Sequence, residues 1–199
     1  EYDNVLYCMN NETHEHSAWG KYWINYIRKM AEGRSKKILL TDMFLAINAD
    51  KVRNIYNSDV YDYVDISQVN GNAPGEIHWS QVKGMTDAAS EVNKLLHMTK
   101  MYGADTAPGN WEGNTDNVIG EMWRGLIAGV ACARFHRPPW GLGLTAQAKS
   151  CIAAVRKIES KIEFWDVEPR QDLLKNRETD EAYLAAKPGQ AYILYFTAG

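Results

Sequence analysis

The sequence is short of several things, and each shortage excludes something. Its three cysteines, Cys8, Cys132 and Cys151, lie far apart and form no CxxC pair. That excludes a disulfide framework or a zinc ribbon and leaves them as small apolar residues expected to be buried. No apolar run approaches the roughly 18–20 residues of a membrane-spanning helix, and no signal peptide opens the chain. The Lys and Arg residues gather into no basic patch and the formal net charge is -3. Nucleic acid is therefore disfavoured as a partner, because phosphate binders concentrate positive charge. "GLGL" at Gly141 has neither GxGxxG spacing nor a following acidic residue, which argues against a nucleotide site. Low-complexity tracts and solenoid-type repeats are absent too.

Hydrophobic residues at 45% and charged residues at 24% are ordinary for a folded domain, and 199 residues allow one core, or a domain and the beginning of a second. Seven Trp and eleven Tyr are a heavy load of flat amphipathic rings. Such rings fill cores or form stacking platforms for ligands such as sugars. Lacking an initiator Met and ending just after the strand-like run "AYILYF", the chain reads as a piece cut at both ends.

Hydrophobic periodicity alternates along the chain. Val5 to Met9 reads as a short buried strand, and Trp19, Tyr22, Trp23, Tyr26, Ile27 and Met30 follow at helical spacing, closed by Gly33. "KKILLTDMFL" is a second strand, Ala49 to Tyr56 a helix, and "DYVDISQVNGN" a third strand. Val82, Met85, Ala89, Val92 and Leu96 mark the next helical face, and "LLHMTKMYG" the fourth strand. Val118, Met122, Leu126 and Ile127 form another helical face before the strand "GVACARFHRP". Thr145 is placed to cap a last helix running through Ile152, Val155 and Ile158. Strands and helices alternating at this spacing give an α/β protein with a parallel sheet. From about residue 164 the pattern changes to "EAYLAA", a Lys187-Pro188-Gly189-Gln190 turn and "AYILYF", a hairpin that opens an all-β region.

Polar residues cluster where successive strands end: Asn11-Glu12, Asp42, Gln68 to Asn70, Lys100 to Tyr102, and Arg134, His136 and Arg137. In parallel α/β barrels that end carries the active site, because its loops converge over the mouth. Asp65 and Gln68 share a strand, on which alternation places one at the mouth and one in the wall. His14 and His16 with Glu12 or Glu15 could chelate along an extended loop. The spacing is not HExxH on a helix and implies no distant third ligand, so no metal is expected. Nothing in the sequence calls for a cofactor.

"NVLYCMNNE" resembles the fourth strand of (β/α)8-barrel glycoside hydrolases of the cellulase-like clan, in which an Asn-Glu pair ends the strand. "WRGLIAGVACARFHRPPWGLGL" and "YLAAKPGQAYILYF" more narrowly resemble bacterial apiosidase-like glycosidases, in which the barrel precedes a small β-sandwich. The resemblance covers nearly all of the chain from Asn4 and implies the C-terminal part of a barrel, about five β/α units over residues 1–163. The beginning of a C-terminal β domain would occupy 164–199. Barrel strands one to three would be missing, and an open half-barrel exposes two sheet edges. The chain is therefore expected either to belong to a longer product or to pair with a second copy.

The resemblance further implies a carbohydrate substrate, from plant or algal polysaccharide or oligosaccharide, and a secreted or periplasmic setting. Glu12 would be the general acid/base, protonating the departing glycosidic oxygen, and Asn11 would bind a sugar hydroxyl beside it. The clan's nucleophilic Glu ends the seventh strand, but "HMTKMYG" carries Lys100 there. A cation at that point favours the ionised form of Glu12 and disfavours its role as an acid. Asp105 or Glu112 could supply the second carboxylate from another backbone position. Arg134, His136, Arg137 and Trp140 either bind sugar hydroxyls or a uronate carboxylate, or form a rigid turn around the two prolines. Asp42, Gln68, Asn70, Trp79, Tyr102 and Trp111 complete the candidate sugar contacts. The competing expectation is a barrel that binds carbohydrate without cleaving it, or an inactive piece.

Overall fold

In a computed structural model, the structure describes residues 5–13, 18–67, 75–101, 115–135 and 143–197. Five parallel β/α units come first: β1 Leu6–Cys8, α1 Ala18–Glu32, β2 Leu39–Thr41, α2 Ala49–Tyr56, β3 Tyr63–Asp65, α3 Gly75–Glu91, β4 Leu95–Met101, α4 Thr115–Ile127, β5 Cys132–Phe135 and α5 Ala146–Glu159. β1 pairs with β2, and β4 lies between β3 and β5, all parallel. β2 and β3 are stitched by Asp62, whose N–H donates to the Leu40 carbonyl at 2.9 Å while its carboxylate accepts the Leu40 N–H at 2.9 Å. The strands thus stand side by side in chain order, each helix carrying the chain to the adjacent strand. Among the described residues no pairing joins β5 back to β1.

The regular elements follow from local chemistry. Tyr63, Val64 and Asp65 are all buried, as expected where helices and strand neighbours cover a parallel strand. Asn48 caps α2 by accepting the Lys51 N–H at 2.9 Å, and Thr145 caps α5 by accepting the Ala148 N–H at 3.1 Å. The anticipated α3 runs too far: the helix ends at Glu91, Asn93 takes a left-handed conformation (φ 53°), and the Lys94 N–H folds back onto the Ala89 carbonyl at 2.9 Å. Leu96 therefore belongs to β4, because Asn tolerates the left-handed reversal that breaks a helical run. α1 ends at Glu32, so Gly33 follows the helix as expected, and the left-handed reversal comes two residues later at Ser35 (φ 53°).

The first unit is also more open than its sequence implies. Val5, Leu6, Tyr7 and Cys8 are exposed rather than buried, because β1 has only β2 beside it among the described residues. Cys132 is half-buried and only Cys151 fully so. On α1 the buried residues are Gly20 and Ile24, whereas Trp19, Tyr22, Trp23, Tyr26 and Met30 face outward. The rings pack on one another, with Tyr22 and Tyr26 stacked at 6.4 Å and Trp23 edge-on to both. No helix among the described residues is long and apolar enough to cross a membrane.

The chain ends in an antiparallel sheet of β6 Glu168–Pro169, β7 Ala182–Lys187 and β8 Ala191–Phe196. The β7–β8 hairpin turns at Gly189 (φ 78°). β6 has no counterpart in the sequence reading, since two residues including a proline give no alternation to read. The sheet packs on α3 and α4 through Trp79 against Tyr183 (4.9 Å between ring centroids) and Trp123 stacked on Tyr195 (5.9 Å).

Arg124, only 3% exposed, is the polar hub of this junction. It donates to His78 Nδ1 at 3.4 Å and to Asn117 Oδ1 at 3.1 Å, pairs with Asp180 at 3.6 Å and lies over the Tyr183 ring. Tyr183 in turn donates its hydroxyl to Asp180 at 2.6 Å, so one buried guanidinium ties α3 and α4 to the small sheet.

Candidate functional site at the strand ends

After β1 the Met9 N–H still bonds the Thr41 carbonyl at 3.0 Å. The Asn10 N–H and Nδ2 then both turn to Asp42 Oδ1, at 3.1 and 2.9 Å. Thr13 rejoins the extension of β2, donating to the Met43 carbonyl and accepting from Leu45, both at 2.8 Å. Between these attachments Glu12 is held in the left-handed region (φ 54°), a conformation that costs a non-glycine residue about 1 kcal/mol. The carboxylate so presented forms an ion pair with Lys100 Nζ from the end of β4. In a flat sheet the first and fourth strands would stand about 14 Å apart. Thr13 keeps Glu12 in the β1 column, and two side chains that stand perpendicular to their strands meet over that span when the strand ends lean together over one concave mouth.

Asp42 ends β2 and is fully buried. Its Oδ1 takes both Asn10 donors, while Oδ2 is buried with no hydrogen-bond partner among the described residues. Gly20 makes room for it: a Cβ at that position would collide with Asp42 Oδ2 and lie 2.6 Å from Asn10 Nδ2. Burial raises the Asp42 carboxyl above its ordinary value, with the two Asn10 hydrogen bonds and Lys21 opposing.

A third group of polar side chains joins β3 to β4. Asp65, 1% exposed, accepts the Ser67 N–H at 2.9 Å and the Thr99 hydroxyl, with His97 Nδ1 at 3.9 Å. Burial holds His97 below its ordinary value; Asp65 opposes this and Arg134 reinforces it. Ser67 Oγ accepts the N–H of both Thr99, at 2.7 Å, and Lys100, at 3.0 Å.

The structure thus brings Glu12, at the end of β1, against Lys100, at the end of β4, whereas Asp42, at the end of β2, is fully buried and held to Asn10. Asn11 is exposed; it is Asn10 that binds Asp42. Trp79 is buried against Tyr183, in the junction with the C-terminal sheet, and Arg134 is exposed on β5. Gln68, Asn70, Tyr102, Asp105, Trp111, Glu112, His136, Arg137 and Trp140, with His14, Glu15 and His16, lie outside the described residues. Among the described residues no group of three or more His, Cys, Asp or Glu side chains could hold a metal ion. Asn10, Gly20, Ser67, His97 and Thr99 were not singled out from the sequence. Ser67 and Thr99 each stand one residue before a strand-end cluster, Gln68 to Asn70 and Lys100 to Tyr102; nothing in the sequence pointed to Gly20. Comparison with known proteins finds no match to this chain among family models, curated proteins or solved structures.

Proposed function

We propose that the chain is part of a glycoside hydrolase acting on plant or algal polysaccharide or oligosaccharide, with Glu12 as general acid/base. The observation that carries this reading is the position of Glu12: at the C-terminal end of a parallel strand, in a left-handed backbone conformation, beside other polar strand ends over one mouth. The likeness of "NVLYCMNNE" to the Asn-Glu strand of cellulase-clan barrels supports the same role. Sugars are recognised by such dense, fixed arrays of carboxylate, amide and ammonium groups. The Lys100 ammonium and the Glu12 carboxylate give the mouth both donors and acceptors.

One observation favours a second reading. Glu12 is ion-paired with Lys100, the residue at the clan's nucleophile position, and a paired carboxylate resists protonation. On that reading the mouth binds carbohydrate and does not cleave it. The test is release of product from aryl glycosides and plant or algal polysaccharides by the full-length protein carrying this chain, and by its Glu12→Gln variant. Hydrolysis that Glu12→Gln abolishes supports the enzyme. No hydrolysis, with oligosaccharide binding equal in both proteins, supports the binding reading.

A further inference from the structure

β4 does not run regularly to its end. Against β5, Met98 stands opposite Ala133 and Met101 opposite Phe135. Three steps along β4 thus match two along β5, so one extra residue is inserted at Thr99–Lys100, a β-bulge. Strict alternation would put Lys100 on the face of Met98. That face is turned to α4, since Met98 Sδ lies 2.9 Å from where a Cβ on Gly125 would sit. The bulge turns Lys100 instead to the face where Thr99 meets Asp65 and Lys100 meets Glu12.

We infer that Ser67 is a positioning residue: its buried hydroxyl, by accepting the N–H groups of both bulge residues, fixes the bulge that aims Lys100 at Glu12. Ser67 is 2% exposed and its place is set from behind, because its own N–H is held by Asp65 Oδ1 at 2.9 Å. Asp65 also accepts the Thr99 hydroxyl, so β3 grips the bulge by side chain and backbone together. An alanine at 67 leaves two part-buried N–H groups without this acceptor, and the bulge is then free to shift and carry Lys100 with it. The inference rests on the Glu12–Lys100 pair as the core of the site, whether that site hydrolyses sugar or only binds it.

The test is the titration of the Glu12 carboxyl carbon followed by NMR in the full protein, for wild type and for Lys100→Met, Ser67→Ala and Ser67→Thr. Removing the cation in Lys100→Met is expected to raise the Glu12 midpoint by about 1 pH unit or more. Ser67→Ala should raise it in the same direction by about half a unit or more, and Ser67→Thr, which keeps the hydroxyl, should leave it within about 0.2 of wild type. If Ser67→Ala does not fold, Ser67→Cys, near in size but a weak acceptor, takes its place with the same expected direction. An unmoved midpoint in a folded Ser67→Ala or Ser67→Cys variant overturns the inference, even where the melting temperature falls. Absence of hydrolysis with the midpoints shifted as expected would defeat only the enzymatic reading.

Discussion

Glu121 makes the junction between the β/α units and the C-terminal sheet sensitive to pH in a direction that can be worked out. Its side chain is 3% exposed, accepts one hydrogen bond from Asn117 Nδ2 at 3.1 Å, and is pushed up to about 8 by burial, with Arg124 and the Asn117 hydrogen bond opposing. His78, which meets Arg124 from α3, is held down to about 3 by burial and by that guanidinium. Above pH 4.5 the unfolded chain loses the Glu121 proton while the folded chain keeps it, so folding stability from this group falls as pH rises towards 8. His78 has the opposite slope, its stability being lost as pH falls from 6.5 towards 3. The two slopes cancel between 4.5 and 6.5, and Glu121 alone acts from 6.5 to about 8. Over that window of about 1.5 pH units, at about 1.4 kcal/mol each, the loss is about 2 kcal/mol.

Glu121→Gln keeps an acceptor for Asn117 and removes the ionisation. Its stability relative to wild type should therefore rise from pH 6.5 to 8 by about 2 kcal/mol. Urea denaturation followed by Trp fluorescence measures this at both pH values. A stability difference independent of pH, or a variant that weakens relative to wild type as pH rises, would refute the assignment of Glu121 as a buried neutral acid.

Two further substitutions probe the frame of the site. Gly20→Ala adds helix propensity worth up to about 1 kcal/mol but drives a methyl into Asp42 and Asn10, an overpacking cost of about 1–3 kcal/mol. Net destabilisation by urea titration is expected, and a stabilised variant would show that α1 does not press on Asp42. Thr145→Ala removes the α5 cap and should cost about 1 kcal/mol, read as a lower urea midpoint; no change would mean that the bond to the Ala148 N–H contributes nothing.

The order of β/α units is legible in the sequence because each element carries its own periodicity and caps: Thr145 ahead of α5, and the Pro188-Gly189 turn between β7 and β8. What is not legible depends on neighbours distant in sequence. Tyr22, Trp23 and Tyr26 sit at core-like helical spacing yet face outward, since periodicity reports an apolar face without reporting what covers it. Trp79 could serve as platform or core until Tyr183, some hundred residues on, is placed against it. The same holds for the site. Glu12 and Lys100 were marked by their places at strand ends, but their contact across the mouth depends on sheet curvature and on the bulge at Thr99–Lys100. A one-residue insertion leaves no mark on composition. Asn10, next to the Asn11-Glu12 pair, takes on a role the sequence does not announce because its partner, Asp42, is brought beside it only by the pairing of β1 with β2.

The most direct measurement is the rate of glycoside cleavage by the full-length protein and by Glu12→Gln at equal concentration, with folding of both confirmed. General acid–base participation by Glu12 requires the variant to lose about 10²- to 10⁴-fold in kcat on substrates with poor leaving groups. Cleavage by Glu12→Gln at the wild-type rate would contradict the role given to Glu12.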